Sequence, residues 1–478
     1  MGINITQIIE EGLVFDDVLL VPKKSSAASR KYIDTSTRIA KKISLKIPII
    51  SANMDTVTES KMAIALAREG GMGIIHRFLT IEEQVNEILK VKRSESIIIE
   101  NPYTISPDRK VNEACEIMAT NGVSGLVVVE NNKLSGIITR RDVVFNSNKD
   151  MLVRDVMTKR DDVITASHDI SMENAKNILY ENRIEKLPLI DEQDHVVGLI
   201  TGKDMIKNSE FNSTKDKKGR LVVGAAIGVK PGYVERTEAL LRAGADIIVV
   251  DIAHGHSDLE INVIKNLRSV YGDNIEIIGG NVATPEGAED LIKAGADAIK
   301  VGVGPGGTCT TRLVTGAGVP QLTAIINCSK ITREYQIPLI ADGGIKKSGD
   351  ITKALAAGAN AVMIGTEFAG TEEAPGMTLI RNGVKYKMLR GMASLTANVN
   401  RQQKENTDMN DFTPEGAETM MIYKGSVVDV IKQFTGGLRS GMSYCGSSNI
   451  QELQKDPIFI KITESARIES RPHGVDKS

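Results

Sequence analysis

A chain of 478 residues, 41% of them hydrophobic, is too long for one ordinary domain and can fill two or three cores. Its 59 Lys and Arg nearly balance 61 Asp and Glu, so no field of one sign favours nucleic acid, and no apolar run approaches the roughly 18 residues that span a bilayer. The opening Met-Gly-Ile-Asn-Ile-Thr-Gln carries no charged-then-apolar signal, and Cys115, Cys309, Cys328 and Cys445 show no paired spacing, so free thiols, no membrane and a cytoplasmic home are expected.

Residues 13–22, Leu-Val-Phe-Asp-Asp-Val-Leu-Leu-Val-Pro, read as a lead-in to the first strand, expected at 47–50. A polar loop from Ser51 follows, then a helix over 61–69 ended by Gly70-Gly71, then a strand at 73–75: a β-loop-α-β unit. His76 closes that strand and reads as structural, since nothing nearby in sequence orients it.

From 94 to 207 the texture changes and a repeat emerges. Gly136-Ile-Ile-Thr-Arg-Arg-Asp recurs as Gly198-Leu-Ile-Thr-Gly-Lys-Asp, each copy preceded by a helix (111–121, 171–182) and a strand (125–129, 186–190). Two copies of one small α+β unit, about 94–150 and 151–207, are the expectation. They resemble a tandem pair of CBS modules, which implies an adenine nucleotide between the copies; a mere spacer is the alternative. Residues 1–93 and 208–478 then form the two parts of the remaining domain.

Apolar strands are predicted at 221–226, 247–251, 275–279, 298–301, 338–341 and 361–364, with helices between, and three share the lead-in Ala-Gly-Ala-Asp or Ala-Gly-Ala-Asn (243–246, 294–297, 357–360). Strands apolar on both faces, alternating with helices at this count, predict a closed (β/α)8 TIM barrel, with a doubly wound sheet as runner-up. Chemistry in a barrel gathers at the carboxyl ends of strands, where Asp251, Asn281, Cys309, Asp342 and Gly365 fall.

Cys309 sits in Gly-Val-Gly-Pro-Gly-Gly-Thr-Cys-Thr-Thr-Arg (302–312), directly after a strand. Glycines let main-chain amides approach a ring or an anion, and Thr310, Thr311 and Arg312 bring hydroxyls and a positive charge that lower a thiol's pKa. That composition points to a nucleophile; a packed thiol in an ordinary turn is the bland alternative. Gly343-Gly344 after Asp342 form a backbone nest of phosphate size. Residues 372–425 are mostly polar, 401–413 lack periodicity, and a mobile flap over about 393–424 is expected. From Gly436 a glycine-rich turn beside the barrel mouth is expected, with Cys445 packed.

Taken together, Gly12-Leu-Val-Phe-Asp-Asp-Val-Leu-Leu-Val-Pro, Met54-Asp-Thr-Val-Thr-Glu, the cysteine loop, Ala341-Asp-Gly-Gly-Ile, Arg390-Gly-Met and Gly436-Gly-Leu-Arg-Ser resemble the inosine monophosphate (IMP) dehydrogenases and their sister GMP reductases. The inserted pair, Pro414-Glu415-Gly416 and Glu469-Ser470 favour the dehydrogenase branch. The resemblance implies that Cys309 attacks C2 of the hypoxanthine ring and that a hydride passes to NAD before water releases xanthosine monophosphate (XMP), with Thr311 catalytic. It implies that Asp342 holds the ribose, Gly344, Gly365 and Thr366 the phosphate, and Met392 and Glu415 the base, with Ser51, Met54 and Asn281 lining the pocket and Asp251 facing the nicotinamide riboside. Carbonyls of Gly304, Gly306 and Cys309, with Glu469 and Ser470 from a neighbouring subunit, are implied to bind potassium in a homotetramer.

Three departures stand out. Gly307 and Leu389 replace a usual phosphate-binding serine and tyrosine, each hydroxyl contact being worth roughly 1 kcal/mol. The flap's water-activating Arg-Tyr pair is reduced to Arg401-Gln402. The alternatives are a GMP reductase that uses the same cysteine with NADPH and releases ammonia, and a non-catalytic nucleotide-sensing relative.

Overall fold

The computed structural model describes residues 11–25, 29–95, 98–99, 102–144, 150–202, 212–397, 399 and 413–471. It forms two compact units, one of Met1–Lys92, Asn212–Thr214 and Leu221–Ser478, the other of Arg93–Phe211 and Lys215–Arg220.

The first unit is a closed parallel barrel of β1 (Ile49–Ser51), β2 (Met72–Ile75), β3 (Val223–Ile227), β4 (Ile247–Val250), β5 (Ile277–Val282), β6 (Ala298–Val301), β7 (Leu339–Asp342) and β8 (Ala361–Ile364), in that order round the ring. Closure is made by β8 on β1, with Val362 opposite Ile49 and Met363 opposite Ile50. The helices α1 (Ser60–Arg68), α2 (Ile81–Ser94), α3 (Tyr233–Arg242), α4 (Asp258–Tyr271), α5 (Pro285–Ala294), α6 (Gln321–Glu334), α7 (Ser348–Ala356) and α8 (Val427–Tyr444) follow the strands one for one. The second unit therefore interrupts the barrel between α2 and β3. Strands such as β4 and β8 are buried along their whole length, which is why they read as continuous apolar runs.

The repeated lead-in has a mechanical role at the amino ends of the strands. Asp246, Asp297 and Asn360 each accept from the first amide of the preceding strand, at Val223 (2.8 Å), Ile277 (2.9 Å) and Leu339 (2.9 Å). Each also donates its own N–H back to that residue's carbonyl at 2.7–2.9 Å. Register between neighbouring strands is thus pinned three times by one motif.

Three expectations are corrected. The segment from Gly436 is not a turn but the second half of α8, because Gly437 and Gly441 let it lie against α7: a Cβ there would fall 2.1 Å from Ser348 Oγ and 2.5 Å from Thr352 Oγ1. Val18–Leu20 does not lead into the barrel but pairs antiparallel with Phe459–Lys461. Within 372–425, Leu379–Arg381, Val384–Arg390 and Glu418–Ile422 build an antiparallel sheet, held from below by buried Lys387, which donates to the carbonyls of Glu372 (3.1 Å) and Ala374. The unpatterned part of the expected flap, 398 and 400–412 with Arg401, lies outside the described residues.

The second unit holds two four-stranded sheets. In one, Thr158–Lys159, Lys133–Thr139, Gly125–Glu130 and Thr104–Ile105 lie side by side; in the other, Ala166–Ser167, Lys186–Ile190, Val196–Thr201 and Ile98–Ile99. Each copy has its own core, around Met118 and Val128 in one and Leu179 and Leu189 in the other, and Val127, Ile137, Val163 and Leu199 form a third between them. Among the described residues no helix is long and apolar enough to cross a membrane.

Candidate functional site

At the carboxyl ends of the barrel strands lies a cavity of about 410 Å³ whose lining includes Met54, Asp251, Asn281, Gly304, Gly306, Cys309, Thr311, Asp342, Met392 and Glu415. Five barrel strands or the loops behind them, and the segment between the second and third strands of the antiparallel sheet, thus bring together residues far apart in the chain.

The cysteine loop leaves β6 and turns back on itself where Cys309 N–H donates to Gly306 O at 3.1 Å. Residues 415–417 fold over it: Thr310 N–H donates to Glu415 O at 2.9 Å and Ala417 N–H to Thr308 O at 2.8 Å, with Cys309 bridged to Gly416. This clasp brings three side chains into line. The Cys309 thiol donates to Thr311 Oγ1 at 3.2 Å, and the Thr311 hydroxyl donates to Glu415 Oε2 at 2.8 Å. The line is a path along which a thiol proton reaches a carboxylate. Arg312, expected to favour the thiolate directly, braces the loop instead, its Nε and Nη2 donating to Val303 O at 3.2 and 3.1 Å.

A charged network forms the cavity floor. Lys300 Nζ lies 3.0 Å from Asp342 Oδ2 and 4.0 Å from Asp251 Oδ1, and donates to Asn281 Oδ1. Asn281 Nδ2 in turn donates to Asp342 Oδ2 at 2.9 Å and Gly302 O at 2.7 Å. Arg77 Nε donates to Asp251 Oδ2 at 3.1 Å. Burial alone would lower the Lys300 ammonium, but Asp342 and Asp251 outweigh it and hold the pKa above its ordinary value. Burial would likewise raise Asp251, yet Arg77 and Lys300 keep it below the usual carboxylate range.

Sequence reasoning passed over Lys300 and Arg77. The run 298–301 was expected to be wholly apolar, but it reads Ala-Ile-Lys-Val, and its lysine is 2% exposed. A lone charge inside a buried strand was the available signal.

Other predicted residues lie apart from the lining. Ser51 is fully buried and accepts from Thr58 Oγ1 at 2.8 Å, so its hydroxyl already has a partner in the barrel wall. Gly365 packs near Met54, Gly344 near Phe15, and Thr366 beside Gly307. A Cβ on Gly307 would come 2.7 Å from Thr366 Oγ1, so the threonine hydroxyl fills the space that a serine side chain at 307 would need. Leu389 is 1% exposed and belongs to the barrel core. Glu469 ends the helix Glu464–Glu469, and Ser470 Oγ donates to Ala466 O at 2.9 Å. Among the described residues no group of three or more His, Cys, Asp or Glu could hold a metal ion.

Comparison with known proteins bears on this site. The family model described as "IMP dehydrogenase / GMP reductase domain" matches residues 12–473. The chain is 53% identical over 474 residues to an inosine-5'-monophosphate dehydrogenase of Nitrosopumilus maritimus, covering 98% of this chain and 99% of that one. It is 46% identical over 483 residues to a GMP reductase of Leishmania major, covering 98% of each. Among solved structures, a cysteine-to-alanine variant of GMP reductase from Trypanosoma brucei, in complex with guanosine 5'-monophosphate, superposes with a TM-score of 0.86 at 44% identity, over 99% of this chain and 100% of that one.

Proposed function

The chain belongs to the IMP dehydrogenase / GMP reductase family, and we propose that it is an NAD-dependent oxidoreductase converting IMP to XMP for guanine nucleotide synthesis. The observation that carries this reading is the line Cys309–Thr311–Glu415 at a cavity of nucleotide size.

Cys309 sulfur forms a bond to C2 of the base, the C2–N3 π pair moving to N3, as its proton passes through Thr311 to Glu415 and on to solvent; the N3 pair re-forms the double bond as hydride leaves. The hydrogen at C2 leaves with its electron pair; NAD, when bound, supplies the hydride acceptor. Water then adds to the thioimidate carbon as the C2–N3 π pair moves to N3; Glu415 takes one water proton through Thr311 and returns it to the thiolate that departs as the C2 carbonyl forms, the other proton passes to N3, and XMP is released. Asp342, paired with Lys300, suits the ribose hydroxyls, and Asp251, paired with Arg77, suits those of the nicotinamide riboside. Met54, Asn281 and Met392 line the base pocket, while Gly344, Gly365 and Thr366 receive the phosphate. Ser51 supports this wall from behind. Arg401 is proposed to assist the water step.

For potassium, carbonyls of Gly304, Gly306 and Cys309 belong to one loop and are neutral oxygen donors, which suits a weakly held monovalent cation. Glu469 and Ser470 from a neighbouring subunit would complete the set, so a homotetramer is proposed with it. In the second unit, read as a CBS pair, a cavity of about 530 Å³ is lined from both copies by Arg140, Arg141, Arg183 and Lys186 together with Asp142 and Asp162. Cations for phosphates beside carboxylates for ribose fit an adenine nucleotide. A cytoplasmic location agrees with this substrate class.

A GMP reductase on the same scaffold is favoured by one observation: Arg401 is followed by Gln402 and not by a tyrosine, and a reductase has no water to activate. Incubation with IMP plus NAD, and separately with GMP plus NADPH, while following the reduced cofactor's absorbance decides between them. Reduction of NAD by IMP is expected; consumption of NADPH by GMP alone would replace the dehydrogenase reading.

A further inference from the structure

Beneath the charged floor lies a carboxyl group that the chemistry above does not use. Glu260, in the first turn of α4, is fully buried. Its Oε1 accepts from Gly280 N–H at 2.6 Å, and its Oε2 has no hydrogen-bond partner. Glycines make the room: a Cβ on Gly255, in the loop behind β4, would come 2.7 Å from Oε2, and one on Gly279, in β5, 3.3 Å from Oε1. The same few residues secure Asn281, whose carbonyl accepts from Gly255 N–H at 2.8 Å. Asn281 therefore reaches Asp342 and Lys300 from a backbone held on one side by Gly255 and on the other by Glu260.

We propose that Glu260 is a positioning residue for the dehydrogenase chemistry, a reading on which this inference rests: by holding Gly280 N–H it aims Asn281 at Asp342 and Lys300. It acts as a neutral acid. Burial drives its pKa well above the usual carboxylate range, the Gly280 N–H and Lys300 lower it less, and Asp251 raises it further. The charged groups that face it are Lys300 on β6 and Asp251 behind β4; β5 contributes none, and His256 of the β4 loop turns to Asp290 at 3.0 Å. As long as Glu260 keeps its proton, Lys300 serves two carboxylates, Asp251 and Asp342. Once the proton leaves, a third negative group draws on Lys300, Arg77 being engaged by Asp251, and Asn281 loses its fixed set of partners. Turnover therefore falls as pH rises through the Glu260 pKa.

The test compares Glu260→Gln with Glu260→Leu in the full-length protein, as kcat and KM across pH. Glutamine is neutral at every pH and its carbonyl can still accept from Gly280. It is expected to stay within about threefold of the parent near neutrality and to weaken the alkaline limb of kcat/KM. Leucine removes the acceptor and should lower kcat/KM about 10- to 100-fold, chiefly through KM for the nucleotide. Glutamine as damaging as leucine, or an alkaline limb identical to the parent's, overturns the proposal; if leucine fails to fold, the glutamine profile alone decides. A parent inactive with both nucleotide–cofactor pairs defeats the functional reading and not this one. Calorimetric binding of IMP across pH then takes the place of turnover, and equal alkaline weakening in parent and Glu260→Gln would reject the role of Glu260.

Discussion

The hydroxyl of Thr311 donates to Oε2 of Glu415 at 2.8 Å across 104 residues of chain. With the Cys309 thiol on the other side of Thr311, the carboxylate and the nucleophile share one path for protons. Glu415→Gln keeps the shape and removes the proton acceptor. It should lower kcat on the order of 100- to 10,000-fold with little change in nucleotide affinity, measured by NADH formation and by calorimetry. Cys309→Ala should abolish turnover while nucleotide binding persists. Cys328→Ala should leave the chemistry intact, because burial pushes that thiol up to about 12 and away from reactivity.

The water step is where Arg401-Gln402 leaves the flap without its usual tyrosine, so that Glu415, acting through Thr311, is the base that remains. Rapid mixing with IMP and NAD should give a burst of NADH about equal to the active sites, then a slow steady rate. Arg401→Ala should slow the second phase only. A linear trace removes slow hydrolysis from the mechanism, and unchanged turnover in the variant removes Arg401.

Lys300 is the one ammonium on which Asp342 and Asp251 both draw. Lys300→Met leaves two half-buried carboxylates without it, a loss below the roughly 3–5 kcal/mol of a fully buried broken pair because water reaches both and Arg77 still pairs with Asp251. The melting temperature should fall and KM should rise for both nucleotide and NAD. A rise for one alone would mean that the two sides of the cavity do not share the ammonium.

Arg77 bears on the acid side of the pH profile. Asp251 is depressed in the folded state, so its ion pairs contribute fully above its unfolded pKa and are lost as pH falls through the folded one. Arg77→Met leaves burial less opposed, so the carboxyl should protonate at higher pH. The acid limb of kcat/KM for NAD should move toward neutrality; an unmoved limb would dissociate Asp251 from cofactor binding.

The inserted unit departs at the end of α2 and the barrel resumes near Asn212, two residues before Thr214, which donates its N–H to Ala67 O at 2.8 Å. Joining Lys92 to Asn212 by a glycine-serine linker should leave a folded barrel that turns over IMP and no longer responds to adenine nucleotides. Inactivity in a folded deletion would show that the unit helps build the site. Adenine nucleotides that change neither the melting temperature nor the rate of the intact protein would remove the sensing role.

The barrel, its count of strands and the cysteine loop were legible in the sequence because each rests on a local pattern. Strands buried on both faces are apolar from end to end, and a nucleophile loop needs glycines next to its cysteine. The Ala-Gly-Ala-Asp lead-in was visible as a repeat, but its meaning was not, since its hydrogen bonds run to the preceding strand 20 or more positions back. Tertiary structure alone decided which residues meet. Glu415 reaches Thr311 only because residues 415–417 clasp the cysteine loop, and Lys300 and Arg77 enter the site only because the barrel curls three strands toward one point. Residues 436–444 show the same limit from the other side. Their glycines predict a turn when read locally, yet they extend a helix, because α7 lies so close that no side chain larger than hydrogen fits at Gly437.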